Sequence, residues 1–249
     1  MALHQREGWT QSGAGRAFVD LHAHTSSSFD SLSDPVALTR TAAARGITHL
    51  AITDHDRVDG ALRARDAQIP GITVLVGSEV RTRDGDLIAL FIERPIEVGL
   101  PSREAIAAIR EQGGLVGIPH PFDGTRGSLF RGDAHTELLS LVDWIEGWNA
   151  RVLTPGGNAK AAALAATHGI SSVSCSDAHS IMEIGNAATI FSGDPVTPAL
   201  MRAALAAPHE LVTGRGALLA RAVMPFVKVI NAARGNRRIA KGRTFGKTD

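Results

Sequence analysis

The fold this sequence predicts is an α/β barrel, and three observations point to it. From Phe18 onward, short apolar runs alternate with helical patterns, as βα units do when they build a mainly parallel sheet. A length of 249 residues suits one barrel of this class. Six polar side chains, His24, His55, Glu79, His120, Asn149 and His179, each fall where an apolar run ends. Barrels of this kind gather their functional groups at those strand ends.

The elements follow in order. FVDLHAH (18–24) reads as the first strand, and a helix over 35–45 starts at Pro35 and stops at Gly46. THLAIT (48–53) is a strand, a helix begins near residue 58, and GITVLVGSE (71–79) is the next strand. The Asp84-Gly85 turn joins it to DLIALFI (86–92). PSREAIAAIREQGG predicts a helix with Ser102 at its N-cap and Gly113 at its end. LVGIPH, LVDWIEGWN and GISSVSCSDAH read as three further strands, with an Ala-rich helix (157–168) before the last. AATIFS is a final strand and TPALMRAALAA a helix. ALLARAVMPFVKVINAARGNRR forms an amphipathic helix that Pro225 should kink.

Composition sets the class. An apolar fraction of 44% supplies an ordinary globular core, and Cys175, the only cysteine, excludes an internal disulfide. The first residues resemble no signal peptide and no apolar run is long enough to span a bilayer, so a cytoplasmic protein is expected. The net charge of +1 hides a division. Residues 215–249 hold nine Lys and Arg against Asp249 alone, leaving 17 basic and 24 acidic side chains in residues 1–214. That asymmetry fits contact with nucleic acid or an anionic membrane, a solubilising end, or a basic helix docked on its own acidic body. The expected division is a flexible N-terminus (1–16), a catalytic domain (17–214) and a basic amphipathic extension (215–249).

The chemistry-bearing pattern is a pair of dipeptide-spaced groups, His22-Ala-His24 and Asp177-Ala-His179. Alternate residues of a strand share a face, so each pair can aim two metal-binding groups at one point. Asp30, Asp54-His55-Asp56, Glu79 and His120 lie between them. Mixed imidazole and carboxylate donors suit Zn, Mn or Fe better than Ca or Mg. Strand parity nominates Asp20 as the acceptor that orients the His22 ring. It makes Asp54 a turn or cap residue, with Asp56 and Asp59 weaker candidates. His4, His49, His135, His168 and His209 match no motif and read as structural or surface residues. Cys175 could face the barrel interior, where a buried inert thiol is the simpler reading. Trp144 and Trp148 either pack against helices or wall a substrate pocket, and the Gly127/Gly132 loop is a lid or a plain connection.

DLHAHTSSSFD, AITDHD, VGSEV, GGLVGIPHP and SCSDAHS, in this order, resemble the motifs of the PHP (polymerase and histidinol phosphatase) domain family over about residues 17–192. The resemblance implies a distorted (β/α)7 barrel with two or three divalent metal ions (Mn, Zn or Fe) at the C-terminal mouth. It also implies hydrolysis of phosphoesters. His22, His24, Glu79 and Asp177 correspond to the ligands of one metal, with Glu79 as the bridging carboxylate. Asp30, His55 and His179 would hold further metal, and His120 would complete the cluster. Relatives often carry one more His after the bridging Glu; DGDLIALFI has none, and Glu146 or Asn149 would have to substitute.

Two cations sharing a water make hydroxide available near neutral pH for in-line attack on phosphorus. His179, His120 or a coordinated water could protonate the leaving group. Arg126, Arg131 and Arg151, with Asn149, are placed to bind the substrate phosphate, since Arg grips phosphate bidentately; ordinary loop arginines are the alternative. The expected activity is therefore a metal-dependent phosphoesterase acting on a small phosphorylated molecule or nucleotide. The rivals are a nucleic-acid-directed nuclease or binder using the basic extension, and a metal-binding regulatory domain docked on an anionic membrane.

Overall fold

A computed structural model describes residues 15–129 and 136–246. Chain order begins β1 (Arg16–Asp20), α1 (Pro35–Ala44), β2 (His49–Ile52), α2 (Asp59–Asp66), β3 (Thr73–Arg81) and β4 (Asp86–Leu90). It continues α3 (Ser102–Glu111), β5 (Leu115–Ile118), β6 (Trp144–Asn149), α4 (Gly157–His168) and β7 (Ser171–Cys175). Then come β8 (Ala188–Ser192), α5 (Pro198–Ala206), β9 (Glu210–Val212), α6 (Leu218–Ala222) and α7 (Met224–Ala233). A 3₁₀ turn over Thr136–Leu141 and the short β9 lack the periodicity that would announce them.

The strands form one sheet in the order β7-β6-β5-β4-β3-β2-β1-β8-β9. The sheet curls until β7 reaches back to β1: Ala23 bridges Ala178 just beyond those strands, and the His24 N–H donates to the Ala178 carbonyl at 2.8 Å. A nearly closed, distorted barrel results. The expectation of a mainly parallel sheet needs correction. β4 runs antiparallel to both β3 and β5, and β8 runs antiparallel to β1 and β9. The tight Asp84-Gly85 turn leaves no room for a crossover helix, so β4 must return beside β3.

Alternation along the strands separates two apolar clusters. Val19, Ala51, Leu75, Ile88, Leu115, Trp144 and Val173 belong to an inner cluster. Leu50, Ile52, Val76, Leu87, Val116 and Ile145, of opposite parity, pack against Leu38, Ala61, Ile109 and Ala165 of the helices. Asp34 starts α1 by accepting from the Val36 and Ala37 amides, and Gly46 ends it at φ +86°. Ser102 is not the N-cap of α3; Pro101 occupies that position, and the Ser102 N–H donates instead to Asp84 Oδ2 at 2.9 Å. Trp144 is fully buried and the Trp148 indole donates to the Gly214 carbonyl, so both pack.

The basic extension is docked on the barrel mouth. Helix α6 gives way to α7 at Val223, because Pro225 lacks the N–H that would continue the ladder. Beyond α7, the Asn236 side chain donates to the Ser26, Ser27 and Ser28 carbonyls. The Val98 N–H donates to the Arg243 carbonyl and the Gly242 N–H to the Val98 carbonyl, and the Arg57 guanidinium lies 3.9 Å from the Phe245 ring centroid. No helix among the described residues is long and apolar enough to cross a membrane.

Candidate metal centre

The barrel places its polar groups where the inner faces of the strands run out at the mouth. In β3 the inner parity of Leu75 and Gly77 continues to Glu79; in β7 that of Val173 and Cys175 continues past the strand to Asp177. β1 departs from this rule. Ala17, Val19 and Leu21 take the inner cluster, the strand ends at Asp20, and His22 and His24 turn into the site beyond it. Non-glycine residues rarely adopt positive φ, and two of these positions do: His120 at +27° and Asp177 at +51°. Backbone of that kind costs about 1–3 kcal/mol and persists where the surroundings enforce it.

Four donor atoms converge. His22 Nε2 lies 2.9 Å from His24 Nε2, 3.3 Å from Glu79 Oε2 and 3.6 Å from Asp177 Oδ1. His24 Nε2 lies 3.3 Å from Glu79 Oε2 and 3.5 Å from Asp177 Oδ1. Donors around a tetrahedral ion with bonds near 2.0–2.1 Å stand roughly 3.3 Å apart. The buried Asp177 Oδ1 has no hydrogen-bond partner, and an oxygen left so is one that a cation would satisfy. This set fits a metal.

A second group adjoins it. His24, Asp30, His55 and His179 offer ligand atoms within 4.8 Å of one another. Asp30 Oδ2 is 3.2 Å from His55 Nε2 and 3.5 Å from His179 Nε2. Glu79 links the two groups, with Oε2 3.3 Å from His55 Nδ1 and Oε1 3.1 Å from His120 Nε2. Every residue expected to hold metal thus joins one cluster of side chains, with His22 and His24 at its buried end.

The ring orientations have a cause. His22 Nδ1 faces Glu146 Oε1 at 2.7 Å, which fixes the proton there and leaves Nε2 a lone pair. Asp20 does not take this part. Its Oδ1 accepts the His22 and Ser176 backbone amides, because the parity of β1 sets it on the face away from the ring. Nor does Glu146 lack partners of its own: its Oε2 accepts the His120 amide and the Asn149 side chain. His179 Nδ1 donates to the Asp177 carbonyl at 2.9 Å, again freeing Nε2.

Electrostatics follow from enclosing these groups. Burial works to raise the Glu79 carboxyl, but His55, His22 and His120 outweigh it and hold it well below its usual range. Burial likewise opposes ionisation of Asp177, and Arg126 and His22 overcome it. Burial and the neighbouring His24 and Arg151 push His179 down to about 3, so its ring is neutral. His55 is lifted to about 10, with Glu79 and Asp30 outdoing its desolvation. Burial, with Glu146 and Asp20 nearby, raises the Cys175 thiol, an inert group inside the barrel.

A cavity of about 340 Å³ opens over the cluster. Arg126 and Arg151 line it, already engaged: Arg126 pairs with Asp123 and Asp177, and Arg151 Nη1 with Glu183 at 3.0 Å. Asn149 is buried, donates to Glu146 and Asp177, and accepts from Arg151 N and Arg126. Arg131, Gly132, His4 and His135 lie outside the described residues. Gly127 packs on the Asp86 carboxylate. Asp54 binds the Thr25 amide and hydroxyl and Asp56 the Arg81 amide, both as struts. His49 is buried against Asp194, and His209 bonds the Ala207 and Ser172 carbonyls.

Sequence reading missed several residues of the cavity. Asp86, Asp123, Phe29, Arg221, Lys228 and Arg238 all line it. Asp123, three residues after His120, was within reach of a local search; Lys228 and Arg238 arrive from the docked extension and carry no local signal.

Known proteins share the family and the fold. Residues 20–148 match the PHP domain model, and residues 155–207 match the PHP-associated model. An uncharacterized protein of Methanocaldococcus jannaschii is 35% identical over 177 residues, covering 70% of each chain. A two-domain protein from Bacteroides vulgatus, described as containing a predicted PHP-like metal-dependent phosphoesterase, superposes with a TM-score of 0.65 at 19% identity. That match covers 80% of this chain and 65% of the other. The lesion-specific endonuclease PfuEndoQ from Pyrococcus furiosus gives 0.56 at 17% identity, covering 79% of this chain and 57% of its own. The two structures speak for the fold alone. With over half its length matched and its donor residues gathered at a barrel mouth, the chain belongs to the PHP domain family.

Proposed function

We propose that this protein is a metal-dependent phosphoesterase that hydrolyses a phosphate ester of a small molecule or nucleotide. The convergence of His22 Nε2, His24 Nε2, Glu79 Oε2 and Asp177 Oδ1 carries the reading. These four atoms would hold one cation, and Asp30, His55 and His179 a second, with Glu79 between them and His120 beside its other oxygen. Divalent ions bound there supply Lewis acidity, which neutralises phosphoryl charge and brings the pKa of a water towards neutrality. Membership of the PHP family supports the same chemistry, and the Bacteroides protein is a precedent for the fold.

The chain's own residues do the rest. Glu146 and the Asp177 carbonyl hold protons at His22 Nδ1 and His179 Nδ1, so both rings present lone pairs inward. Arg126 holds the outer oxygen of Asp177. Lys228 and Arg238 at the rim, with Arg151, draw an anionic ester into the cavity. His120, 3.1 Å from Glu79, would pass a proton to a departing alkoxide, a part that His179 or a coordinated water could also take.

Purified protein supplied with Mn²⁺ should release phosphate from an aryl phosphate, and His22→Ala or Asp177→Asn should remove that activity. Undiminished turnover in both variants would refute the assignment. The cations of the rim favour a second reading, cleavage of a nucleic-acid phosphodiester, for which the similarity to PfuEndoQ is a fold-level precedent. Activity on oligonucleotides that exceeds activity on monoesters, and falls with added salt, would select it.

A further inference from the structure

Helices α6 and α7 carry a face that the barrel leaves uncovered. Leu218, Leu219, Phe226 and Val229 are 77, 63, 70 and 68% exposed, and Val223 and Ile230 are also exposed. At 3.6 residues per turn these six side chains fall in one arc of about 140°. The opposite side of the same helices faces the protein: Asn231 is buried, and Met224 and Lys228 line the cavity. Leu153, 63% exposed, lines the cavity with Met224 and Arg221 from the loop after β6, whose Ala150 carbonyl accepts from Gly216 N and Arg221. Scattered exposed aliphatics need no explanation. A continuous set on one helix pair marks a contact surface.

We propose that this face docks on an anionic lipid bilayer, with α6 and α7 lying in the interface and the catalytic mouth turned to the headgroups. Charge complementarity selects this occupant. Residues 215–246 hold eight Lys and Arg and not one Asp or Glu. On the helical projection Arg234 lies about 20° beyond one edge of the apolar arc, and Arg221 and Lys228 lie about 60–80° beyond the other, on the way round to the cavity. Lys228 and Arg238 lean on the Phe29 ring at 5.5 and 5.3 Å, and Arg238 also acts on the Asp56 and Asp86 carboxyls. An apolar stripe bordered by cations is the pattern of a helix that lies in a membrane interface. A second copy of this chain would bring like charges together across the contact. A nucleic acid would use the cations and leave the aliphatic arc in water.

The test is co-sedimentation of the full chain with phosphatidylcholine vesicles, with and without phosphatidylglycerol. Binding is expected with phosphatidylglycerol present, weakened by salt. The double substitution Phe226→Ser, Val229→Ser should reduce it about tenfold or more, since both a hydrocarbon and an electrostatic contribution are required. Hydrolysis of a soluble aryl phosphate and the thermal midpoint should stay unchanged, because neither side chain reaches the cavity. A Phe226→Trp variant should give a blue-shifted emission on adding these vesicles, a shift the parent protein lacks. Equal sedimentation with both lipids would overturn the proposal, and so would full binding by the double variant. A dimer that the double variant converts to a monomer, without vesicle binding by the parent, would assign the face to a second copy instead.

Discussion

Asn231 and Ser31 stand 200 residues apart in the chain, and the Asn231 side-chain amide donates to the Ser31 carbonyl at 2.8 Å. The same nitrogen reaches the Ser28 carbonyl at 3.3 Å, so α7 grips the loop that presents Asp30 from both sides of that residue. Asn231→Ala leaves the Ser31 carbonyl without its buried donor and Ser28 with Asn236 alone, a loss of about 1–3 kcal/mol. Urea unfolding should report it. Mn²⁺ titration should show weaker binding in step, because Asp30 loses its support; full affinity would mean the grip serves stability alone.

Glu146 sits behind His22 and is fully buried. Glu146→Gln keeps the shape and removes the charge that makes the ring a strong donor. Metal affinity or turnover should fall roughly 10–100-fold with the fold intact. Elemental analysis beside a circular dichroism spectrum separates that outcome from unfolding.

Bound metal should act as a brace. Chelator treatment is expected to lower the thermal midpoint, and Mn²⁺ to restore it, because ions that bind only the folded chain shift the equilibrium towards it. Asp177→Asn should blunt both shifts. A midpoint indifferent to chelator and metal alike would argue that the donor set holds no ion.

Gly117 in β5 lies opposite Trp144 of β6. A Cβ at Gly117 would come within 2.1 Å of the indole Cε2, and Trp144 is fully buried with nowhere to retreat. Gly117→Ala should therefore destabilise the barrel by about 1–3 kcal/mol or more. Denaturant unfolding followed by tryptophan emission would measure it.

His49 gives stability a pH dependence separable from the metal centre. Burial lowers its folded pKa below 6.5, against the pull of Asp194. The unfolded chain then binds the proton more readily than the folded one. Stability contributed by the neutral ring is present above 6.5 and declines as pH falls below it. His49→Gln should lose less of its thermal midpoint than the parent on acidification over that range. Identical losses would assign the effect elsewhere.

Several features of the site are local in the sequence and were readable there. Pro35 and Gly46 bound a helix because their φ preferences act on the backbone itself. The two-residue spacings of His22/His24 and Asp177/His179 announced groups able to share a ligand. Strand parity then failed at β1, where the chain leaves the sheet at Asp20, and so Asp20 was assigned a ring that belongs to Glu146. Arg126 has the chemistry of a phosphate clamp, yet Asp123 and Asp177 already hold it once the loops close.

By itself the sequence determined the alternation of strands and helices, which imidazoles and carboxylates are candidates to share a metal, and the basic amphipathic character of its last segment. These depend on periodicity and side-chain type over a few neighbouring residues. Tertiary structure decided the antiparallel return of β4, the partner of His22 and the seat of the extension on the mouth. Each of those joins residues far apart along the chain, and only curling the sheet brings such groups within hydrogen-bonding distance, where burial and charge select the partner.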